Sequence, residues 1–238
     1  MDLTNVVFRR ADALADGYTD HQISQKVRSG AWHRVRRGAY VSGELWRGLS
    51  PADRHRVLAR AVLLTSHPLT VLTHLSSALE RGAPVYNVSL AEVHTTRMDG
   101  KAGRREAGKV QHRGVLPTDQ VQLVNDVPVS SAPRCAVEMT TIADVESALV
   151  TANGLLHSGQ LTTAEFADIA HETRYWPASL ATNLVVRLAD PRLESAGETR
   201  TDYLCWAQHL PRPTPQVGIL DEHGNEFAWV DFAWPELG

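Results

Sequence analysis

The sequence predicts an α+β protein organised in three segments. Two observations lead to this class. Helical patterns near the N-terminus run directly into a short strand–turn–strand pattern, and the middle of the chain alternates amphipathic helices with short runs of β-branched residues. A chain of 238 residues, 43% of them hydrophobic, can bury separate cores in two or three small domains. We therefore predict boundaries that divide the chain into residues 1–48, 49–190 and 191–238.

Two helices are predicted at the start of the first segment. In the first, Asn5–Asp16, three apolar residues recur at helical spacing and are expected to face inward: Val7, Ala11 and Leu14. The second, Thr19–Ser29, opens with a Thr-x-x-Gln capping box and directs Ile23 and Val27 inward. Its outer face is left with polar side chains suited to base edges and phosphates, namely His21, Gln22, Gln25, Lys26, Arg28 and Ser29.

A basic β-hairpin is predicted over Ser29–Val41, with Gly38 supplying the permissive backbone of its turn. Four basic side chains are concentrated around this turn: His33, Arg34, Arg36 and Arg37. A solvated basic loop is the alternative, but the two preceding helices favour a compact winged helix-turn-helix domain. Such a domain would place the Thr19–Ser29 helix in the major groove of double-stranded DNA, while the hairpin arginines contact phosphates or the minor groove. Dimerisation on an inverted repeat would fit this geometry.

Charge is distributed unevenly along the chain. Residues 1–60 carry eleven Lys and Arg against six Asp and Glu, a net of +5, and residues 91–115 add +3. Residues 116–238 carry six basic against seventeen acidic residues, a net of −11. This charge distribution is expected when the basic N-terminal part binds DNA and the acidic C-terminal part is either solvated or in contact with a basic partner protein.

The second segment predicts alternating helices and strands. Helices are expected over Pro51–His67, Val71–Arg81, Pro133–Ala152 and Thr162–Ala170. Strands are expected over Val88–Thr96, Lys109–His112, Val121–Val124 and Val127–Ser130. The stretch Met98–Gly108 is rich in glycine and charge, so we predict a mobile loop there, either solvated or supplying further phosphate contacts.

Several functional classes are not indicated by the sequence. No apolar run approaches the length of a membrane span and no signal-peptide pattern opens the chain, so a cytoplasmic location is expected. Cys135 and Cys205 have no metal-ligand spacing and are predicted to be buried thiols. His74, His94 and His112 match no compact zinc pattern, so we expect core or surface histidines and no cofactor for a binding function.

The third segment predicts a helix over Gly197–Leu210, a proline-rich link and a second hairpin. Its strands are expected over Gln216–Leu220 and Phe227–Trp234, with the turn at Asp221–Asn225.

The run GYTDHQISQKVRSGAWHRVRRGAYV resembles the N-terminal winged-helix domain of AbiEi-type antitoxins from type IV toxin–antitoxin systems, which act in abortive-infection phage defence. The stretches PLTVLTHLSSALERGAPVYNVSLAEVHTT and VQHRGVLPTDQVQLVNDVPVSSAPRCAVEM are similar to the rest of that family's larger members, so the resemblance covers essentially the whole chain. The run from Arg134 to Glu138, Arg-Cys-Ala-Val-Glu, departs from the family's Arg-Thr and later Asp, which we interpret as a packing change. The resemblance implies binding to operator DNA, autorepression, and opposition to a nucleotidyltransferase-like toxin.

The C-terminal segment resembles the Vsr-like branch of PD-(D/E)XK nucleases. The resemblance places Glu198 at the helix acid and Asp231 at the first strand acid, both as ligands of a catalytic Mg²⁺. Relatives continue with a strand that completes the metal site, and this sequence ends before that strand. We therefore expect a partial nuclease-like segment, and an inactive or split metal-dependent DNA endonuclease stays open as the alternative function.

An open strand edge is expected after Phe227–Trp234, because the resemblance leaves the sheet of this segment unfinished. Trp229, Phe232 and Trp234 lie near that edge. Open apolar strand edges tend to pair or be covered, so we predict a partner there: a second subunit, a toxin or a separately encoded remainder. Coverage by the chain's own helices is the alternative.

Overall fold

The computed structural model of the protein describes residues 2–101, 103–106 and 108–237. The chain divides into two compact units, each of mixed helix and strand. Unit 1 comprises Met1–Gly82 and Ser89–Ser131, and unit 2 comprises Ala83–Val88 and Ala132–Gly238. Unit 1 carries eighteen Lys and Arg against twelve Asp and Glu, a net of +6, whereas unit 2 carries six against fifteen, a net of −9. Neither unit coincides with a segment predicted from sequence, because residues 49–190 contribute to both.

Unit 1 opens with short helices and a small antiparallel sheet. Its first elements are β1 (Phe8–Arg9), α1 (Arg10–Ala15), α2 (Asp20–Arg28), β2 (Trp32–Arg36), β3 (Ala39–Ser42) and α3 (Gly43–Gly48). The strands are ordered β1-β3-β2. The predicted second helix and hairpin are confirmed. Thr19 and Gln22 form the expected capping box, in which the Thr19 amide donates to the Gln22 side chain at 2.8 Å.

The prediction for the first helix is wrong in its bounds and its face. The helix begins at Arg10, because Phe8 and Arg9 pair with Tyr40 and Ala39 as a strand. Leu14 is consequently 38% exposed, whereas Ala13, at 2%, is the residue that faces the core. Ala11 is exposed as well and Val7, although buried as predicted, precedes the helix, so the apolar spacing did not identify the buried face of α1.

Helix α4 (Pro51–Leu64) packs against two apolar clusters within unit 1. Ser50 caps its N-terminus, accepting a hydrogen bond from the Asp53 amide at 3.1 Å, and Pro51 occupies the first helical position. Val57 and Ala61 pack with Ala39 and Val41 of the small sheet. The opposite side of the same helix supplies residues to the cluster under the larger sheet: Ala59 and Val62.

The larger sheet of unit 1 has six strands in the order β6-β7-β5-β4-β9-β8. The elements are β4 (Thr70–Leu72), α5 (His74–Glu80), β5 (Val93–Arg97), β6 (Arg104–Glu106), β7 (Lys109–His112), a 3₁₀ turn (Thr118–Gln120), β8 (Val121–Val124) and β9 (Val127–Ser130). The predicted bounds of β7, β8 and β9 are confirmed. Strands β4 and β9 are parallel, as are β5 and β7, and the other neighbours are antiparallel.

Two predictions in this region are wrong. The helix predicted over Val71–Arg81 is a buried strand, β4, followed by the shorter helix α5. The mobile loop predicted over Met98–Gly108 contains the edge strand β6, which pairs with β7; residues 102 and 107 of that stretch lie outside the described residues.

Unit 2 consists of five helices and a hairpin in its described residues: α6 (Ala132–Met139), α7 (Val145–His157), α8 (Thr163–Glu172), α9 (Ser179–Leu188), α10 (Ala196–Ala207), β10 (Thr214–Leu220) and β11 (Glu226–Ala233). The predicted helix over Pro133–Ala152 is two helices, because Asp144 caps a new one by accepting from the Ser147 amide at 2.8 Å. The predicted hairpin is confirmed, and both cysteines are buried free thiols as expected.

No helix among the described residues combines the length and apolar character that crossing a bilayer requires.

Candidate nucleic-acid interface

The polar face predicted on α2 is exposed in the structure. The side chains of His21, Gln25, Lys26 and Arg28 all lie on the surface. The side-chain oxygen of Gln22 instead accepts hydrogen bonds from the amide and hydroxyl of Thr19, at 2.8 and 3.1 Å, so this residue serves the helix cap. The exposed set therefore presents one ammonium, one guanidinium, an imidazole and an amide from a single helix.

The hairpin between β2 and β3 places its three arginines in different surroundings. Arg34 and Arg37 are exposed, the first on β2 and the second in the turn closed by Gly38, whose φ is +79°. Arg36 is half-buried, and its Nη1 is shielded from solvent with no hydrogen-bond partner among the described residues. It lines a small polar pocket of unit 1 together with Arg97, Glu106 and Lys109. Arg34 and Arg37 are therefore the arginines of this hairpin that reach solvent.

His33 supports the hairpin instead of adding charge to it. Its imidazole stacks on the indole of Trp46 in α3, with ring centroids 4.2 Å apart and planes 9° from parallel. Burial, together with the nearby Arg54 guanidinium, lowers the pKa of His33 below its usual value of 6.5. The ring is consequently uncharged at neutral pH, and its stacking on Trp46 holds β2 against α3.

Four cations on this surface have no acidic partner. Within the described residues, Lys26, Arg28, Arg34 and Arg37 form no ion pair, whereas the neighbouring arginines of α1 and its N-cap do. Arg9 lies 2.8 Å from Asp12, and Arg10 lies 2.5 Å from Asp20. The hairpin and α2 thus hold a concentrated positive charge that the protein itself does not neutralise, which is the electrostatic condition for binding a polyanion.

An aromatic cluster fixes α2 against the hairpin. Trp32 of β2 packs edge-on to Phe8 and to Tyr18, with centroid distances of 4.8 and 5.0 Å. Ile23 of α2 and Tyr40 of β3 are buried in the same cluster. Edge-to-face aromatic pairs add about 0.5–1.5 kcal/mol each beyond the area they bury, so the orientation of α2 relative to the hairpin is held by packing.

The predicted nuclease acids lie in different elements of unit 2, Glu198 in the first turn of α10 and Asp231 in β11. The carboxylate of Glu198 accepts hydrogen bonds from the Ser195 hydroxyl at 2.6 Å, the Glu194 amide at 3.1 Å and the Gln216 side chain at 3.2 Å. Gln216 stands opposite Asp231, because its chain neighbours pair with the two residues that flank Asp231. Among the described residues, no third carboxylate, histidine or thiol joins these two acids in a metal-binding group.

The structure brings together three histidines that the spacing in the sequence did not connect. His74, at the start of α5, His94 of β5 and His112 of β7 have ligand nitrogens within 4.8 Å of one another. Burial lowers the pKa of His94 and of His112 to about 4, and the neighbouring His112 contributes to the shift of His94. The sequence signal was the presence of His94 and His112 in two separate predicted strands, which indicates a shared site only once those strands are known to be neighbours.

Comparison with known proteins gives relatives without a stated activity. No protein-family model matches the chain. Two curated proteins of Mycobacterium tuberculosis are 26% identical to it over 221 residues, which is 92% of this chain and 76% of each relative. They are described as uncharacterized protein MT2308, from strain CDC 1551 / Oshkosh, and uncharacterized protein Rv2248, from strain ATCC 25618 / H37Rv. The fold and the site define a mixed α/β protein with a basic surface formed by α2 and the β2–β3 hairpin.

Proposed function

We propose that the protein is a DNA-binding regulator of the AbiEi antitoxin type, and that residues 8–42 act as a winged helix-turn-helix. The observation that carries the proposal is the group of exposed cations on α2 and the hairpin that have no acidic partner: Lys26, Arg28, Arg34 and Arg37. It is supported by the net charge of +6 on unit 1, in a chain whose total charge is −3. A basic surface confined to one helix and the adjacent hairpin is what duplex DNA recognition requires.

In this proposal α2 enters the major groove of an operator. The exposed amide of Gln25 and the guanidinium of Arg28 are suited to base edges, since bidentate amide–adenine and guanidinium–guanine pairs carry sequence information there. Arg34 and Arg37 contact the phosphates that flank the groove and set the register of the helix. The packing of Trp32 against Phe8 and Tyr18 holds these two sets of contacts at a fixed spacing.

A salt-dependent gel shift on the DNA upstream of the reading frame tests the proposal. The double variant Arg34→Ala/Arg37→Ala should bind at least tenfold more weakly. The slope of log affinity against log salt should also fall by about 2, because each lost phosphate contact removes about 0.9. The control is Arg187→Ala, an exposed arginine of α9 in the acidic unit, which should leave both quantities unchanged.

Two results would overturn the DNA-binding role. One is a wild-type protein that binds neither the upstream duplex nor an unrelated duplex at low salt. The other is a double variant whose affinity and salt slope equal those of the wild type, since the cations that carry the proposal would then contribute nothing.

The antitoxin part of the proposal follows from the family resemblance and has its own test. The protein would repress its own promoter and oppose a nucleotidyltransferase-like toxin encoded beside it. Expression of the neighbouring reading frame alone should arrest growth, and co-expression with this chain should restore it. Growth arrest that this chain does not relieve would contradict the antitoxin role while leaving the gel-shift result in place.

A metal-dependent nuclease is the second candidate, favoured by the position of Gln216 between the two predicted acids. The Gln216 amide of β10 donates to the Glu198 carboxylate of α10 and stands opposite Asp231 of β11, so both acids lie beside the same residue of β10. A cleavage assay with Mg²⁺ or Mn²⁺ separates the candidates. The regulator proposal expects no nicking, and nicking that is abolished in Asp231→Ala would replace it.

A further inference from the structure

The larger sheet of unit 1 assembles three imidazoles from distant parts of the sequence. Strands β5 and β7 are parallel neighbours, with His94 paired to Val110 and Thr96 paired to His112. His94 and His112 are therefore diagonal neighbours on one face of the sheet, two residues apart in register. Strand β4 lies on the other side of β5, and His74 follows it directly at the start of α5. We propose that His74, His94 and His112 form a binding site for a divalent transition-metal ion, Zn²⁺ in the first instance.

The distances between the rings suit a shared ion. His94 Nδ1 and His112 Nε2 are 2.9 Å apart, a hydrogen bond that a bound ion would replace, and the His74 ring lies against the His112 ring with centroids 3.7 Å apart. Zn–N bonds of about 2.0–2.1 Å in tetrahedral geometry place ligand nitrogens about 3.3 Å from one another. The first pair is within a few tenths of an ångström of that spacing. The ligand nitrogens of all three residues lie within 4.8 Å of one another.

Side chains around the cluster orient the histidines. The Thr73 hydroxyl lies 3.0 Å from His74 Nδ1 and so helps to fix the orientation of that ring. The backbone at His74 is held in the left-handed region, with φ +51°, a conformation that β-strand or helix continuation would not give. Hydrogen bonds to the second nitrogen of a ligating imidazole are a regular feature of zinc sites, because they fix the ring and its tautomer.

The position of His94 is fixed through a buried chain of hydrogen bonds. The His94 amide donates to Ser76 Oγ at 2.8 Å, and Ser76 Oγ lies 2.8 Å from His55 Nε2. His55 Nδ1 lies 2.9 Å from the Leu90 carbonyl, which can only accept, so Nδ1 carries the proton of a neutral ring. Ser76 therefore donates to His55 Nε2, and every member of the chain is satisfied.

The chemical type of the three ligand atoms determines which metal ions the site can bind. Three imidazole nitrogens without a thiolate or carboxylate suit Zn²⁺, Ni²⁺ or Cu²⁺ and disfavour Mg²⁺ and Ca²⁺, which require oxygen ligands. Within the described residues, no Asp, Glu or Cys belongs to the group. His94 and His112 are half-exposed, so a fourth position is open to water or to a bound ligand, as in three-histidine zinc sites.

Calorimetric titration of the metal-free, tag-free full chain with ZnCl₂ at neutral pH tests the site. We expect one zinc ion per chain. His94→Gln and His112→Gln should each weaken binding by more than the roughly 10–100-fold that loss of a supporting hydrogen bond costs. His171→Gln is the matched control: His171 is an exposed histidine of α8 in unit 2, and its loss should leave the stoichiometry and the affinity unchanged.

Two further measurements use the wild-type protein and so do not depend on whether a variant folds. Co²⁺ should produce the intense visible absorption of a tetrahedral site. Imidazole ¹H–¹⁵N spectra should show three histidines shifting together on zinc addition. Zinc binding that survives in both His94→Gln and His112→Gln, or spectra in which zinc shifts none of the three rings, would overturn the site.

Discussion

The carboxylate of Glu80 lies inside unit 1, where three side chains donate to it. Arg60 donates at 2.5 and 2.9 Å, Arg56 at 3.1 Å and the Asn125 amide at 2.8 Å. Asn125 belongs to the tight turn between β8 and β9, so Glu80 joins α4, α5 and that turn. A buried ion pair of this kind contributes little relative to an apolar isostere, but losing one partner leaves uncompensated buried charge.

Glu80→Gln should therefore lower the free energy of unfolding by about 3–5 kcal/mol, because two guanidinium groups lose their counter-charge in the interior of unit 1. Urea denaturation at neutral pH measures the change. Glu92→Gln is the control, since Glu92 pairs with Arg105 on the exposed edge of the sheet and its loss should shift the midpoint little. Equal shifts for the two variants would show that burial of the Glu80 pair has no energetic consequence.

The Glu80 carboxylate also makes the free energy of unfolding depend on pH in the acidic range. Burial alone would raise the pKa of Glu80, but hydrogen bonds from Arg60, Arg56 and Asn125 outweigh burial and hold the pKa below its ordinary value of 4.5. The unfolded chain then binds more protons than the folded chain at low pH. The contribution of Glu80 is complete above about pH 4.5 and is lost as the pH falls through the folded pKa. Urea midpoints measured from pH 7 to pH 3 should fall more steeply for the wild type than for Glu80→Gln, and parallel profiles would contradict the assignment.

The sequence predicts correctly those functional groups whose residues are close together in the chain. It does not predict groups whose residues are brought together by the pairing of strands in the sheet. The capping box at Thr19 and the exposed cations of α2 follow from spacing alone, since both depend on the geometry of one helix. The histidine cluster depends on the adjacency of β4, β5 and β7, which no local spacing encodes. The burial of Arg36 was missed for the same reason, because its surroundings come from β5, β6 and β7.

At the scale of elements, the junction of α2, the hairpin and α3 is held by a close backbone contact. A Cβ atom on Gly43 would stand 1.9 Å from the carbonyl oxygen of Gly30, and the Gly43 amide donates to the Ala31 carbonyl at 2.8 Å. Backbone atoms cannot move aside as a flexible side chain does, so any larger residue here must separate α3 from the end of α2.

Gly43→Ala should destabilise the protein by about 1–3 kcal/mol, as overpacking of a close contact does, and should weaken DNA binding by disturbing the angle between α2 and the hairpin. Urea denaturation and the gel shift measure the two effects. Gly48→Ala, at the other end of the same helix, places its Cβ in open space and should be near neutral in both assays. A Gly43→Ala protein that matches the Gly48→Ala protein in stability would contradict the importance of this contact.

The errors in element prediction have a common physical origin. All three residues of β4 are buried, and burial on both faces removes the alternation that distinguishes a strand from a helix; the helical spacing of the residues that follow therefore predicts a helix that starts too early, at Val71. Strand β6 has the opposite composition, Arg-Arg-Glu, because it is the edge of its sheet and carries charge there. Strands β7, β8 and β9 have β-branched residues bounded by turn signals, and their predicted bounds are correct.

The C-terminal hairpin leaves one prediction open at this scale. Phe227 and Trp229 of β11 are 67% and 61% exposed, and in the described residues β11 pairs with β10 alone. The expected partner at this strand edge stays a prediction.

At the scale of the whole molecule, each compact unit has its own buried residues and its own charge. Domains with separate cores open separately, so the chain need not unfold in a single step.

Hydrogen exchange followed by mass spectrometry should therefore show that Glu80→Gln raises the exchange rates of unit 1 peptides by at least tenfold, while peptides from 132–237 keep their wild-type rates. The reciprocal control is Phe166→Ala, which removes a fully buried side chain of α8 and should raise exchange in unit 2. If either variant raised the exchange rates of peptides in both units equally, the chain would instead unfold as a single cooperative structure.

The segment Ala83–Val88 belongs to unit 2 although unit 1 precedes and follows it in the chain. Thr151 donates to the Pro84 carbonyl at 3.0 Å, Gly154 faces the Pro84 ring too closely to admit a Cβ, and the Arg200 guanidinium lies 4.0 Å from the Tyr86 ring. The polypeptide consequently crosses between the units three times, and no single proteolytic cut separates them. A fragment ending at residue 131 would keep this segment and lose every group that holds it. A single crossover point in the reading frame therefore cannot exchange either unit in full.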